Sequence, residues 1–141
     1  CYKFRSMNLN PKAHIEQVSK NDPRITRVGR FLRKTSIDEL PQFINVFLGQ
    51  MSVVGPRPHM VSHTEMYAQR VNKFMVRHFV KPGITGLAQT KGYRGEVEKE
   101  TDIINRVKYD IFYMENWSIL LDIKIIFMTI FNTIKGEDKA Y

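Results

Sequence analysis

Apolar residues recur at helical spacing along several stretches of the chain, and one of these follows a pair of adjacent carboxylates. Leu40, Phe43, Ile44 and Phe47 stand at i, i+3, i+4 and i+7, the stripe of an amphipathic helix. Ser36-x-x-Glu39 before it is a capping-box pattern and Gly49 after it is a stop, which predicts a helix from Ser36 to about Gly49. Pro41 is tolerated only near such a start, where its missing N–H matters least. Asp38 and Glu39 then lie at the positive end of the helix. From this stretch alone they either cap the helix or carry chemistry, and the local pattern does not choose.

The same reading predicts other elements. Tyr2–Met7 alternates as a short strand with Lys3 and Arg5 on one face. Residues 8–22 are polar and contain Pro11, a loop or weak helix. From Arg24 to Lys34, Ile25, Val28 and Leu32 fall on one side, with Arg24, Arg27, Arg30 and Lys34 almost opposite, a basic amphipathic helix or a solvated charged face. Met51–Val54 reads as a buried strand. The prolines of Gly55-Pro56-Arg57-Pro58 restrict the backbone on both sides of Arg57, which pre-organises its guanidinium for bidentate phosphate contact. Ser62-x-x-Glu65 opens a second capping box and a helix to about Phe79. Lys81–Gly95 is glycine-punctuated and predicts a loop region open to a ligand, without a nucleotide-binding fingerprint. Thr101–Tyr113 and Trp117–Ile134 read as helices. The second is apolar nearly all round, which suits a core helix or one lying in a membrane interface. His59, His63 and His78 lack metal-ligand spacing on a common helix and read as structural or surface residues.

Composition changes this picture in two ways. With 43% hydrophobic and 26% charged residues in 141, the chain is one globular domain rather than disordered. The single cysteine excludes an internal disulfide and argues against a thiolate metal cluster. The net charge of +8 is concentrated: residues 1–35 hold nine Lys/Arg against two Asp/Glu. Such asymmetry points to an anionic partner: phosphate ester, anionic lipid or nucleic acid. No uncharged run is long enough to span a bilayer. The start on Cys1 within a strand pattern leads to the expectation of a fragment whose natural start lies upstream.

The run from Asp22-Pro23-Arg24 through Thr35-Ser36-Ile37-Asp38-Glu39-Leu40-Pro41-Gln42 to Gly49-Gln50-Met51-Ser52-Val53-Val54-Gly55-Pro56-Arg57-Pro58 resembles the bacterial sugar transferases. These are monotopic polyprenyl-phosphate phosphoglycosyl transferases. Lys3-Phe4-Arg5-Ser6-Met7, Pro82–Gln89 and Tyr109-Asp110…Trp117-Ser118…Asp122 match as well, so the resemblance covers nearly the whole chain. It implies an α+β fold, mostly helical with a few short strands and with interfacial amphipathic helices, lacking here the family's upstream membrane hairpin.

The resemblance further implies transfer of a sugar-1-phosphate from a UDP-sugar to undecaprenyl phosphate, with release of UMP and a need for Mg2+. By its motif Asp38 is the nucleophile and Glu39 the catalytic carboxylate that holds magnesium, while Lys3, Arg33 and Arg57 contact the substrate's phosphates. Gly92-Tyr93-Arg94-Gly95-Glu96 resembles the branch that carries glucose or galactose. Asp110 and Asp122 are expected in structural salt bridges. The implied partners are the UDP-sugar, undecaprenyl phosphate and anionic lipid at the cytoplasmic face of the bacterial inner membrane, not nucleic acid; a homo-oligomer is left open. The rival is a non-catalytic basic module that binds anionic lipid or nucleic acid, which leaves the Asp-Glu pair and Pro-Arg-Pro without a role.

Overall fold

The computed structural model describes residues 1–9, 22–59, 67–69, 71, 73–95, 97 and 99–135. In chain order the elements are α1 (Arg27–Lys34), a 3-10 turn (Ile37–Glu39), α2 (Gln42–Phe47), β1 (Ser52–Val54), a 3-10 helix (Phe74–Phe79), β2 (Gly83–Thr85), α3 (Leu87–Thr90), α4 (Glu100–Glu115) and α5 (Ile119–Lys135). The fold is α+β and mostly helical, as expected. Its two strands pair in parallel, Ser52 with Gly83 and Val54 with Thr85.

The second strand lies where the sequence predicts loop. Its pairing joins residues far apart in the chain, so no local pattern announces it. The glycines do not open this region to a ligand but to backbone: a Cβ on Gly83 would stand 2.1 Å from the Gly55 amide nitrogen. Only glycine permits so close a crossing.

Two apolar clusters form the core. Tyr67, Val71, Phe74, Ile103 and Val107 make one; Val54, Leu87, Tyr113 and Ile125 make the other. Helix α4 feeds both, with Ile103 and Val107 early and Tyr113 late. It spans two residues more than predicted at its C-terminal end and one more at its start. Helix α5 matches its prediction closely: Ile125 is its one buried residue, while Ile119, Leu120, Ile123, Phe127, Ile130, Phe131 and Ile134 are exposed. Among the described residues no helix is long and apolar enough to cross a membrane.

Several local expectations are corrected. Tyr2–Met7 forms no strand; it makes one antiparallel bridge, Met7 with Ile25, and otherwise runs beside the carboxylate pair, where the Phe4 N–H donates to the Asp38 carbonyl at 3.0 Å. Helix α1 begins at Arg27 because the Thr26 hydroxyl accepts from the Gly29 amide, an N-cap bond. It packs through Gly29 against the Ser6 backbone, leaving Val28 and Phe31 exposed, rather than through the predicted apolar side. Arg24 lies before the helix and pairs with buried Asp22.

The capping box at Ser36 does not form. Ser36 is left-handed (φ 58°) and makes no cap bond, because Glu39 turns to three cations instead of back to the Ser36 amide. Pro41, lacking an N–H, then separates the 3-10 turn from α2. Helix α2 is inverted: Gln42 and Asn45 are buried while Leu40, Phe43, Ile44 and Phe47 face out, Phe47 at 90% exposure. The predicted helix from Ser62 to Phe79 falls partly outside the described residues. Where described, residues 67–69 are helical, Lys73 at φ 62° interrupts the run, and a 3-10 helix follows. His63 also lies outside the described residues.

Candidate active site

The left-handed Ser36 turns the chain so that the following 3-10 turn carries both acidic side chains inward, Asp38 at 9% and Glu39 at 7% exposure. Buried carboxylates need charge partners, and Glu39 has three. Its Oε1 accepts from Lys3 Nζ at 2.9 Å and Arg57 Nη2 at 3.1 Å; its Oε2 accepts from Arg94 Nη2 at 3.0 Å. Burial opposes ionisation, but the three cations outweigh it and hold the Glu39 pKa at about 2.

Asp38 is the opposite case. Burial and the neighbouring Glu39 charge raise its pKa, and Lys3, Arg33 and Arg94 only partly offset them. Among the described residues no donor touches its carboxylate. An ionised oxygen without a donor, inside a cationic field, is available to attack an electrophile. Adjacent residues of a 3-10 turn diverge by roughly 120°, so the two carboxylates diverge and do not compete for the same partner.

Of the residues singled out from sequence, Lys3, Arg57, Asp38 and Glu39 come together here. Arg57 also donates from Nη1 to Gln89 Oε1 at 3.4 Å. Arg33 stands a step back: its Nε donates to Ser6 Oγ at 2.8 Å, and it reaches Asp38 through its field rather than by contact. Sequence reasoning missed Arg94, which donates to both Glu39 and Ser36 Oγ (2.9 Å) from the same nitrogen. The available signal was Lys91-Gly92-Tyr93-Arg94-Gly95, where Gly92 takes φ 89° and sends the arginine back toward the dyad. A pocket runs from Glu39 and Arg94 past Gln89 to exposed Leu40 and Phe43, with Thr129 of α5 on its far wall.

Asp110 pairs with Arg77 at 2.7 Å, both about 2% exposed, the structural salt bridge expected. Asp122 differs from expectation: its oxygens accept from Tyr113 Oη at 2.7 Å and Trp117 Nε1 at 3.2 Å. Tyr113 and Trp117 are neutral, so this aspartate joins α4 to α5 through hydrogen bonds. His59 sits between Arg77 and Arg106, where burial and both guanidiniums lower its pKa to about 2. It is structural, as read from sequence.

Among the described residues no cluster of three or more His, Cys, Asp or Glu side chains could hold a metal by itself. A carboxylate offers about four lone-pair positions, and three of Glu39's are taken. One position on Glu39 Oε2 and the Asp38 carboxylate remain. That fits a Mg2+ ion, which takes one or two carboxylates and completes its shell with water and substrate phosphates.

Residues 1–136 match the family described as bacterial sugar transferase. Among similar proteins is the UDP-glucose:undecaprenyl-phosphate glucose-1-phosphate transferase of Klebsiella pneumoniae, 56% identical over 92% of this chain and 28% of that protein. Its namesake in Escherichia coli strain K12 is 54% identical over 92% and 28%. The UDP-galactose-lipid carrier transferase of Erwinia amylovora is 46% identical over 100% and 31%. The chain thus spans under a third of the length of these relatives.

Proposed function

The chain belongs to the bacterial sugar transferase family, and we propose that its full-length protein transfers a sugar-1-phosphate from a UDP-sugar to undecaprenyl phosphate. The observation that carries this reading is the pairing of an undonated Asp38 carboxylate with a Glu39 locked by three cations. Lys3, Arg33, Arg57 and Arg94 bring four positive charges against the two carboxylates. The excess of two matches the two negative charges of a nucleoside diphosphate sugar.

In the first step an Asp38 oxygen attacks the sugar-bearing phosphorus. The Asp38 O–P bond forms as the P–O bond to UMP breaks, and UMP leaves with that electron pair. Arg57, Arg94 and Lys3 hold the diphosphate oxygens and stabilise the charge that builds on the leaving phosphate. In the second step an oxygen of undecaprenyl phosphate attacks the same phosphorus and expels Asp38, giving the lipid diphosphate sugar. Bound Mg2+, held through the open position on Glu39 Oε2, would supply electrostatic stabilisation of the phosphoryl oxygens. Because Glu39 is already ionised far below neutral pH, it is available as a ligand throughout.

The favoured cargo is glucose-1-phosphate or galactose-1-phosphate, supported by the names of the relatives and by the segment around Arg94. The acceptor lies in a bilayer, so the site has to meet an interface. The outward apolar faces of α2 and α5, Trp117 just before α5, and exposed Arg27 and Arg30 suit docking at the cytoplasmic face of the inner membrane. Reversing Arg27 and Arg30 to Glu should weaken binding to anionic vesicles several-fold; unchanged binding would remove α1 from that surface. The reading as a whole is tested by UMP release from a panel of UDP-sugars with undecaprenyl phosphate, using the full-length protein with and without magnesium. Release from no donor would end it.

A further inference from the structure

Arg57 and Arg94 approach Glu39 from two loops, and each loop is held from behind by a buried guanidinium. Arg77 Nη2 donates to the Arg57 carbonyl at 2.7 Å. Arg106 Nη2 donates to the Gly95 carbonyl at 2.9 Å, and Asn105, one residue earlier on α4, donates to Tyr93 Oη at 3.1 Å. Arg94 is thus bracketed on both sides by bonds to consecutive residues of one helix. His59 lies between the two guanidiniums, its Nδ1 facing Arg77 Nη1 and its Nε2 facing Arg106 Nη1 at 3.1 Å; a neutral imidazole has one acceptor nitrogen, so it accepts from one guanidinium and packs against the other. Asp110, one turn beyond Arg106, holds Arg77 from the other side. Arg77, Arg106 and Asp110 are all at least 96% buried.

Stability alone is a poor reason for this group. Buried ion pairs often hold a fold no better than apolar residues of equal volume, because taking the charges out of water cancels their attraction. Here burial works against every member: it lowers the Arg77, Arg106 and His59 pKa values and raises that of Asp110. What the group does achieve is geometric. Both guanidiniums end on backbone carbonyls of the two loops that carry Glu39's arginines.

We propose that His59, Arg77, Arg106 and Asp110 form a brace that fixes the separation of Arg57 and Arg94 across Glu39, and so positions both for the donor diphosphate. The proposal rests on reading the Glu39 cluster as the donor site. The four act through Arg57 and Arg94 and are positioning residues. His59 stays neutral across the physiological range.

The test is a double-mutant cycle in the full-length protein, reading UMP release from UDP-glucose with undecaprenyl phosphate. Arg106→Lys keeps the charge but cannot span Gly95 and His59 together. It is expected to lower kcat/KM roughly tenfold, chiefly by raising the donor KM. In an Arg94→Ala background the same change is expected to cost less than about twofold, since no guanidinium remains there to position. An equal fold loss in both backgrounds overturns the brace, because general loosening of the core would act on both chains alike. Arg94→Ala releasing UMP at the unmodified rate overturns instead the donor-site reading, and the brace with it. If Arg106→Lys fails to fold, His59→Gln enters the same cycle against Arg57→Ala and Arg94→Ala; coupling is expected with both, and its absence from either overturns the proposal.

Discussion

Glu39 and Asp110 are both buried carboxylates paired with arginine, yet their chemistry runs in opposite directions. Glu39 is held ionised, its pKa near 2; Asp110 is pushed up to about 6. The difference is one of partners and of place. Three cations converge on Glu39 from a partly open edge, with Lys3 and Arg57 still reaching solvent. Asp110 faces two arginines in the core, where Arg77 is itself desolvated, and burial wins. A cation count against burial therefore separates a carboxylate set for chemistry from one set for architecture.

Removing the charge from each should show that contrast. Glu39→Gln is expected to reduce UMP release by about a hundredfold or more and to lower stability at neutral pH by on the order of 3 kcal/mol, because the three cations make the ionised form the favoured one in the fold. Asp110→Asn should do the reverse. Burial disfavours the ionised Asp110 even beside Arg77, so the neutral amide is expected to leave stability at neutral pH unchanged or raised, read by denaturant unfolding, with a smaller loss of activity per folded molecule. If both substitutions lower stability alike, the comparison breaks.

How much of this was legible beforehand follows from where the information lies. Asp38, Glu39 and the Pro56-Arg57-Pro58 segment stand in local strings whose chemistry is plain without a fold, and α4 and α5 announce themselves by period. Arg94 was missed because its role depends on a loop returning across nearly sixty residues to reach Ser36 and Glu39. Strand β2 was missed for the same reason, its partner being remote. The capping box misled because local satisfaction of Glu39 lost to three distant cations. The stripe of α2 was recognised, but periodicity tells that a face is apolar and not which way it turns; here Gln42 and Asn45 point inward.

The two carboxylates should also give opposite slopes of stability with pH. Glu39 binds its proton more weakly folded than unfolded, so its contribution is full above about 4.5 and is lost as pH falls toward about 2. Asp110 binds its proton more tightly folded, so stability declines as pH rises from 3.8 through about 6. That decline is on the order of 3 kcal/mol. Unfolding at a series of pH values should show the loss between pH 4 and 6 shrinking in Asp110→Asn and unchanged in Glu39→Gln. A smaller effect concerns rate: the acid limb of UMP release should lie above the ordinary aspartate range, since the Asp38 pKa is raised and the nucleophile must be ionised. An acid limb below that range would place the ionising group elsewhere.

The central claim is that Asp38 takes the phosphosugar covalently. Full-length protein mixed with UDP-glucose in the absence of undecaprenyl phosphate, quenched and digested, should yield a peptide containing Asp38 heavier by one hexose phosphate. The adduct should disappear on adding the lipid acceptor and never form in Asp38→Asn. UMP release that continues in Asp38→Asn, or an adduct on another residue, would contradict the account.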